Sequence, residues 1–282
     1  MTKQETEVPV RLPSLTLSAW RPTRDTLQQY ARIAGRVRSH FMPKSKHWWH
    51  ITLSVYTHGL TTTPFFADAQ TCELNLDLAS HRLVLSSSDG RLSTLPLAGQ
   101  STAGLCRWII SALPSAEVDL ARRLLDEYGD ESILPYDYQA VESYRRAINW
   151  VDSVFKAFKG GLREETGPVQ LFPHHFDLAV NWFSGRLVPG ADPADEEHAD
   201  EQMNFGFVTG DESIPDAYLY VTAYPEPGDW MELELKHGAY WHTDGWVGAI
   251  LPYAELLRQD QPYTLLLVYL QQLRLHGAGL MA

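Results

Sequence analysis

The chain has 282 residues, 23 Lys and Arg against 35 Asp and Glu, 11 His, and a formal charge of −12 at pH 7. This acidic balance excludes a dedicated nucleic-acid binder, which would carry a basic domain. No apolar run approaches the roughly 20 residues that cross a bilayer, so a membrane protein is not expected either.

The cysteines and the first residues predict the cellular compartment of the protein. Cys72 and Cys106 are too few for a disulfide scaffold and lack the spacing of metal ligands. The opening residues are polar and lack the apolar centre of a signal peptide. We therefore expect a cytoplasmic protein.

The first predicted element is a helix from about Asp25 to His40. The basic residues of the segment 1–46, where nine Lys and Arg stand against three acids, are either a solvated helix face or a surface for a partner. Apolar residues recur at helical spacing and form one stripe: Leu27, Tyr30, Ala34, Val37 and Phe41.

Residues 47–56 then alternate with a period of two, which is typical of a strand with two different faces. A second strand is predicted at 72–78, and the Ser88-Asp89-Gly90 turn predicts a hairpin after it. One face of the first strand would carry aromatic and polar groups together: Trp48, His50, Thr52, Ser54 and Tyr56.

Helices and strands interleave in the rest of the chain. Helices are predicted at 139–160 and 262–276, and strands at 176–183, 204–208 and 216–224, while 118–128 fits a helix or a strand followed by a helix. Acidic residues and two prolines predict an exposed loop near 187–203. Because the order lacks a regular βαβ rhythm, we predict an α+β fold of mostly antiparallel sheets with three to four packed helices.

Several short sequences occur together in one order: His-Trp-Trp-His at 47–50, Gly-Leu-Thr-Thr at 59–62, Phe-Asp-Leu-Ala at 176–179, Phe-Ser-Gly-Arg at 183–186, Tyr-Pro-Glu-Pro at 224–227 and Leu-Pro-Tyr at 251–253. Together they resemble a family of bacterial proteins known only as a domain of unknown function. The resemblance extends from about Leu15 to Tyr269. It implies one continuous unit over 1–282, and it brings no activity, cofactor or substrate. The residues before Phe-Asp-Leu-Ala, Pro173-His174-His175, depart from the family pattern.

Sequence motifs of the common enzyme classes are absent. There is no phosphate-binding Gly-x-x-x-x-Gly-Lys, no dinucleotide-binding Gly-x-Gly-x-x-Gly after a strand, and no Gly-x-Ser-x-Gly or His-Glu-x-x-His. An unfamiliar chemistry remains open.

A divalent metal is one candidate cofactor. On a strand, residues two apart emerge on one face about 6–7 Å apart, which suits the pairs His175–Asp177 and His242–Asp244. With His50 as a third donor, His175 and Asp177 would suit zinc, iron or manganese. The alternative is that these histidines are hydrogen-bonded residues of sheets and loops.

The polar strand faces also predict a sheet-lined pocket. Apolar walls with a few polar groups are the usual lining of a small-molecule site. Within it, His50 would carry protons, Asp177 would orient it or act as its acid–base partner, and Glu226 would be a further carboxylate. The alternative is that both faces pack under helices or loops. The predicted pocket residues are Trp48, Thr52, Tyr56, Tyr220 and Tyr224.

Three hypotheses about function follow. The chain is an enzyme that uses His and Asp for acid–base or metal-assisted chemistry on a small molecule, a non-catalytic binder of a small ligand, or a protein-interaction module. The interaction module would use the basic N-terminal helix or the acidic loop. The sequence leaves the oligomeric state open.

Overall fold

The structure is a computed structural model that describes residues 12–115, 117–195 and 197–281. It has two antiparallel sheets and several helices, which confirms the predicted α+β class. The first eleven residues of the predicted unit, with their share of the basic charge, and Glu196 of the acidic loop lie outside the described residues. No helix within the described ranges combines the length and apolarity that crossing a bilayer requires.

Within the described residues, four α-helices lie before the second sheet, and side-chain caps begin two of them. Helix α1 spans Leu17–Phe41 and buries most of the predicted apolar stripe. Ser101 caps α2 (Thr102–Ala112) by accepting a hydrogen bond from the Gly104 N–H, as its position before the helix predicts. The ambiguous segment is a helix, α3 (Val118–Tyr128). Asp137 caps α4 (Tyr138–Gly160), whose buried stripe includes Val141, Tyr144, Ile148, Val151, Phe155 and Phe158.

The first sheet is an antiparallel meander that contains the predicted strand at 72–78 and the predicted hairpin, with additional short strands. Its strand order is β1-β2-β4-β5-β6, and β3 pairs with β4 at one end. The strands are β1 (Ser54–Tyr56), β2 (Gly59–Thr61), β3 (Phe65–Ala67), β4 (Gln70–Asp77), β5 (Arg82–Ser87) and β6 (Leu92–Pro96).

The second sheet contains the later strands in the order β11-β12-β10-β9-β8-β7. The predicted acidic loop is shorter than 187–203, because β8 continues to Leu187 and β9 begins at Asp200. Two helices follow the sheet, α5 (Tyr253–Leu257) and α6 (Pro262–Leu280). The strands are β7 (Gln170–Phe172), β8 (Asp177–Leu187), β9 (Asp200–Val208), β10 (Tyr218–Tyr224), β11 (Tyr240–His242) and β12 (Gly248–Pro252).

A one-residue bridge joins the two sheets. The Leu53 N–H donates to the Leu171 carbonyl at 2.9 Å, and the Leu171 N–H donates to the Leu53 carbonyl at 2.8 Å. Both leucines are fully buried, and they belong to an apolar cluster that includes residues of both sheets and of α1 and α4. The helices and sheets thus share one core.

The predicted strand at 47–56 is wrong over most of its length. Residues Lys46–Ile51 form a 3₁₀ segment, and only Ser54–Tyr56 is a strand. His47 and Trp48 have φ of 51° and 58°, in the left-handed region that a strand cannot use. The period of two in this stretch therefore does not describe faces of a sheet.

A charged side chain from α1 explains why the segment coils. The buried Arg38 guanidinium donates to the carbonyl oxygens of Trp49 and Thr52 and to the Thr52 hydroxyl. These acceptors would otherwise need strand partners. Gly35 allows the close approach, since a Cβ there would lie 2.6 Å from the Ile51 carbonyl oxygen.

We expect Arg38→Met to lower the free energy of unfolding by about 2 kcal/mol, because it leaves buried carbonyl oxygens without donors. Urea unfolding followed by circular dichroism measures the effect. Arg36→Met is the matched control: Arg36 pairs with Glu127 on the exposed side of the same helix, and such pairs contribute about 0–1 kcal/mol. Equal losses for the two variants would contradict the proposed role of Arg38.

Candidate functional site

The second sheet has one face in the core and one face that forms the site. Val180, Phe205 and Val221 are buried on the core face, where the Phe205 ring lies 4.8 Å from that of Phe158 in α4. In the register of β8, β9 and β10, Gly206 pairs with both Ala179 and Tyr220. Because side chains alternate along strands, Tyr220 projects from the face opposite the core.

A pocket of about 320 Å³ lies on this opposite face. Its volume is at the lower end of the range of small-molecule sites. Polar groups from the strands and from the loops between them lie beside apolar and aromatic walls. The lining residues are His175, Asp177, Val208, Asp211, Tyr218, Tyr220, Thr222 and Trp246.

Asp177 is the buried acid of this pocket, with 5% of its surface exposed. Its Oδ2 accepts a hydrogen bond of 2.6 Å from the Tyr220 hydroxyl. Its Oδ1 is buried and has no hydrogen-bond partner among the described residues. Asp152 in α4 also has an unpaired Oδ1, but its Oδ2 pairs with the Lys156 ammonium at 2.6 Å. An unpaired carboxylate oxygen is costly, so it favours a ligand that donates to it.

Burial shifts the pKa of Asp177 and of the tyrosine that donates to it. It raises the pKa of Asp177 above the ordinary value of 3.8, while the Tyr220 hydrogen bond, the neighbouring His175 and the backbone N–H of Asp177 itself act in the opposite direction. Burial, together with Asp177, also raises the pKa of Tyr220 well above its ordinary value. The phenol is therefore protonated at neutral pH and donates to Asp177.

A second tyrosine–aspartate pair forms the adjacent wall. The Tyr218 hydroxyl donates to Asp211 Oδ2 at 2.6 Å, and Asp211 Oδ1 accepts the backbone N–H groups of Ser213 and Ile214. Gly210 is required in this loop, because its φ is +97° and a Cβ would lie 2.4 Å from the Pro215 carbonyl oxygen. The loop is thereby held against the sheet.

A glycine makes room for the ring of Tyr220. A Cβ on Gly206 would lie 2.1 Å from Tyr220 Cζ and 2.5 Å from its hydroxyl oxygen. The ring therefore lies directly over the backbone of β9. This position takes the hydroxyl to Asp177, so Gly206 is part of the geometry of the site although it contributes no side chain.

The predicted pair His175–Asp177 reaches the pocket in a way that differs from the prediction. His175 precedes β8, and Phe176 between the two has φ of 57°, so the pair does not share one extended strand. The buried Phe176 ring stacks on Tyr144 with centroids 5.1 Å apart. This turn leaves His175 exposed at the pocket and Asp177 buried within it.

Residues of the predicted first strand do not line this pocket. His50 is buried in the 3₁₀ segment, where its Nδ1 accepts the Ser45 backbone N–H at 3.3 Å. Trp48 is 43% exposed and donates from its indole N–H to Glu197. Thr52 is buried against Arg38. The catalytic pairing of His50 with Asp177 is therefore not assembled, because the segment that carries His50 is coiled.

Three further predicted residues also lie elsewhere. Tyr56 is in β1 of the first sheet, next to His58. Tyr224, at the end of β10, is 37% exposed and contacts the His198 ring at 5.3 Å. Glu226 is exposed in the turn that follows. Of the predicted site residues, the pocket contains His175, Asp177 and Tyr220.

The predicted metal set does not come together. Within the described residues, no group of three or more His, Cys, Asp or Glu side chains could hold a metal ion. His242 contacts the Asp244 backbone carbonyl at 2.9 Å and the Trp246 ring at 4.5 Å, so the pair His242–Asp244 is not arranged as a chelate.

Five lining residues are not among the predicted site residues: Val208, Asp211, Tyr218, Thr222 and Trp246. Asp211 and Trp246 are the two that no predicted strand contains. Both lie in loops of the second sheet, where no hydrophobic period constrains the position of a side chain. The Asp-Gly-Trp string at 244–246 indicates a turn between short strands. Trp246 lies close to Tyr220, with ring centroids 6.4 Å apart, and this contact follows only from the strand order.

Two other concavities are somewhat larger than this pocket. One, of about 410 Å³, lies between α6 and residues 233–237, and it includes Tyr269, whose hydroxyl is buried without a hydrogen-bond partner among the described residues. The other, of about 430 Å³, lies between α1 and α3, where Arg36 and Glu127 pair with each other. An unpaired hydroxyl costs less than an unpaired carboxylate oxygen, so Asp177 distinguishes its pocket from both.

Three basic residues of α1 make contacts within the chain. Arg24 contacts Asp25 and the Gly210 carbonyl, and Arg36 pairs with Glu127. Arg38 is buried. These contacts favour a structural role over a partner surface for these three arginines.

Comparison with known proteins places this architecture in a family. No curated protein and no solved structure matches the chain. The model of a family of unknown function, DUF5996, matches residues 12–281. The matched range includes both sheets, the helices and every residue that lines the pocket of Asp177. The chain therefore belongs to the DUF5996 family of unknown function.

Proposed function

We propose that this protein binds a small molecule with an apolar body in the pocket of Asp177. Asp177 Oδ1 has almost no accessible surface, so the carboxyl group rotates slightly on binding and Oδ1 then becomes the acceptor that anchors the ligand. One observation carries the proposal: a buried carboxylate oxygen without a hydrogen-bond partner among the described residues, in a concavity large enough for a ligand. Fourteen buried side-chain N and O atoms of the described residues lack a partner, and Asp177 Oδ1 is the carboxylate oxygen among them whose residue lines a pocket, so a bound donor would account for it.

The pocket walls support the same function. Val208, Tyr218 and Trp246 supply apolar surface around the carboxylate, and Thr222 supplies a hydroxyl. This combination of apolar walls and a few placed polar groups is typical of small-molecule sites. The space that Gly206 leaves for the Tyr220 ring is a further sign of a built site.

A ligand screen with two matched blocking variants tests the proposal. Thr222→Trp fills the pocket from β10, and Val268→Trp fills the groove beside α6 in the same way. We expect fragments detected by saturation-transfer NMR to bind the unmodified protein and Val268→Trp, and to lose binding to Thr222→Trp. Fragments that still bind Thr222→Trp, or that only Val268→Trp loses, would overturn the proposal. Circular dichroism verifies that both variants are folded.

A catalytic role is the second candidate. His175 and Asp177 both line the pocket, and an acid whose pKa is raised by burial can exchange a proton closer to neutral pH than an ordinary aspartate. We infer that any acid–base chemistry uses these two groups, since His50 and Glu226 lie elsewhere. NMR of each fragment after long incubation with the protein tests this, because turnover gives new resonances that Asp177→Asn does not produce.

A further inference from the structure

The pocket brings several hydrogen-bond acceptors together around Asp177, beside the donors of His175, Thr222 and Trp246. The phenol hydrogens of Tyr218 and Tyr220 are already donated to Asp211 and Asp177. Their oxygen lone pairs, the carboxylate oxygens and above all Asp177 Oδ1 remain to receive a hydrogen bond. The acceptors around Asp177 favour a ligand that donates there.

The charge of the pocket points to a cation. Two carboxyl groups, Asp177 and Asp211, line it against one imidazole, His175. Opposite charges attract strongly where water is excluded, and an ammonium group placed against the Asp177 carboxyl group would favour its ionised form and offset part of the cost of burying that charge. The anchoring donor is therefore better supplied by a charged group than by a neutral one.

Three aromatic rings form the remaining wall. The Tyr218 and Tyr220 ring centroids are 6.4 Å apart, and those of Tyr220 and Trp246 are also 6.4 Å apart. Ring faces attract cations and also pack against apolar groups. A ligand that carries an ammonium group on an apolar body satisfies the carboxylate and the rings together.

Building on the proposed function, we propose that the ligand of this pocket is a protonated primary or secondary amine on an apolar body, with an N–H donating to Asp177 Oδ1. The lining excludes an anionic ligand by charge. A quaternary ammonium would satisfy the rings but would leave Oδ1 unpaired.

Three probes of similar shape test this class: 2-phenylethylamine, 2-phenylethanol and trimethyl(2-phenylethyl)ammonium. At pH 7 the first is a cation with N–H groups, the second is neutral and the third is a cation without an N–H. We expect the amine to bind about tenfold or more tightly than either of the others, because hydrogen bonds to charged groups are the stronger ones. Dissociation constants come from NMR titration up to roughly 10 mM, a range suited to such small ligands.

Asp177→Asn separates this proposal from the general one. In that variant, the amine is expected to lose its advantage over the alcohol. Equal binding of amine and alcohol to the unmodified protein would overturn the amine class and leave the ligand-binding function intact. Equal binding of the amine and the quaternary salt would overturn the hydrogen bond to Oδ1. Absence of binding by all three overturns the amine class, and the fragment screen then decides the proposed function on its own.

Discussion

Replacing Asp177 by asparagine is expected to weaken binding of 2-phenylethylamine by about 30-fold or more, because it removes the charge and the acceptor that receive the ammonium group. The same substitution is expected to raise Tm by a few degrees at neutral pH. The amide still accepts the Tyr220 hydroxyl, and unlike the buried carboxyl group it never carries a charge, so the cost of ionisation in a buried position is gone. Calorimetric titration and thermal unfolding of the two proteins measure the two effects.

The difference in Tm is expected to depend on pH in one direction. Burial raises the pKa of Asp177 in the folded protein above 3.8, the ordinary value that the unfolded chain has. At a pH between the unfolded and the folded pKa, the folded state therefore holds more protons than the unfolded state. Stability from this group is complete below the unfolded pKa and is lost as the pH rises through the folded pKa. Asp177→Asn removes that loss, so its advantage in Tm grows from pH 3 towards pH 8. His175 and the Tyr220 hydroxyl are present in both proteins.

Asp152→Asn is the matched control for binding. Asp152 is also a buried aspartate whose pKa burial raises and whose Oδ1 is unpaired, but it lies in α4 and does not line the pocket. We expect this variant to bind the amine like the unmodified protein. Loss of binding in both variants, or a lower Tm for Asp177→Asn at pH 8, would contradict the role given to Asp177.

Gly206→Ala is expected to disable the pocket without a change of any polar group. The added methyl would lie 2.1 Å from Tyr220 Cζ, so the ring must leave its place on β9 and give up its hydrogen bond to Asp177. We expect a loss of about 3 kcal/mol in the free energy of unfolding, as is typical of overpacking, and loss of amine binding. Urea unfolding and NMR titration measure these changes.

A double-mutant cycle tests whether contact with the Tyr220 ring causes the loss of stability in Gly206→Ala. In a Tyr220→Ala background the ring is gone, so the further change Gly206→Ala is expected to cost less than about 1 kcal/mol. A cost as large as in the original background would show that the methyl meets the backbone and not the Tyr220 ring.

Helical and strand periods were sufficient to predict much of this fold. The stripes of α1 and α4 and the hairpin of β5 and β6 depend on local spacing and turn chemistry, and the structure contains them. The strand prediction for residues 47–51 was wrong because Arg38, a residue of another element, determines their conformation. A period of two over ten residues cannot reveal a contact of this kind.

The candidate site was predictable only in part for the same reason. Asp177 and Tyr220 lie on strands, where alternation indicates which face a side chain occupies. Asp211 and Trp246 lie in loops, and they approach the pocket because β10 is between β9 and β12 in the sheet. Strand order is a property of the whole chain, so single-residue patterns could not supply it.

The bridge between Leu53 and Leu171 has a consequence for how the molecule responds to a ligand. Two reciprocal hydrogen bonds and a shared core connect the first sheet to the second sheet, which contains the pocket. We expect the two to melt as one cooperative unit. Binding energy gained at Asp177 would then protect the N-terminal meander from denaturation as well, although no atom of that meander lines the pocket.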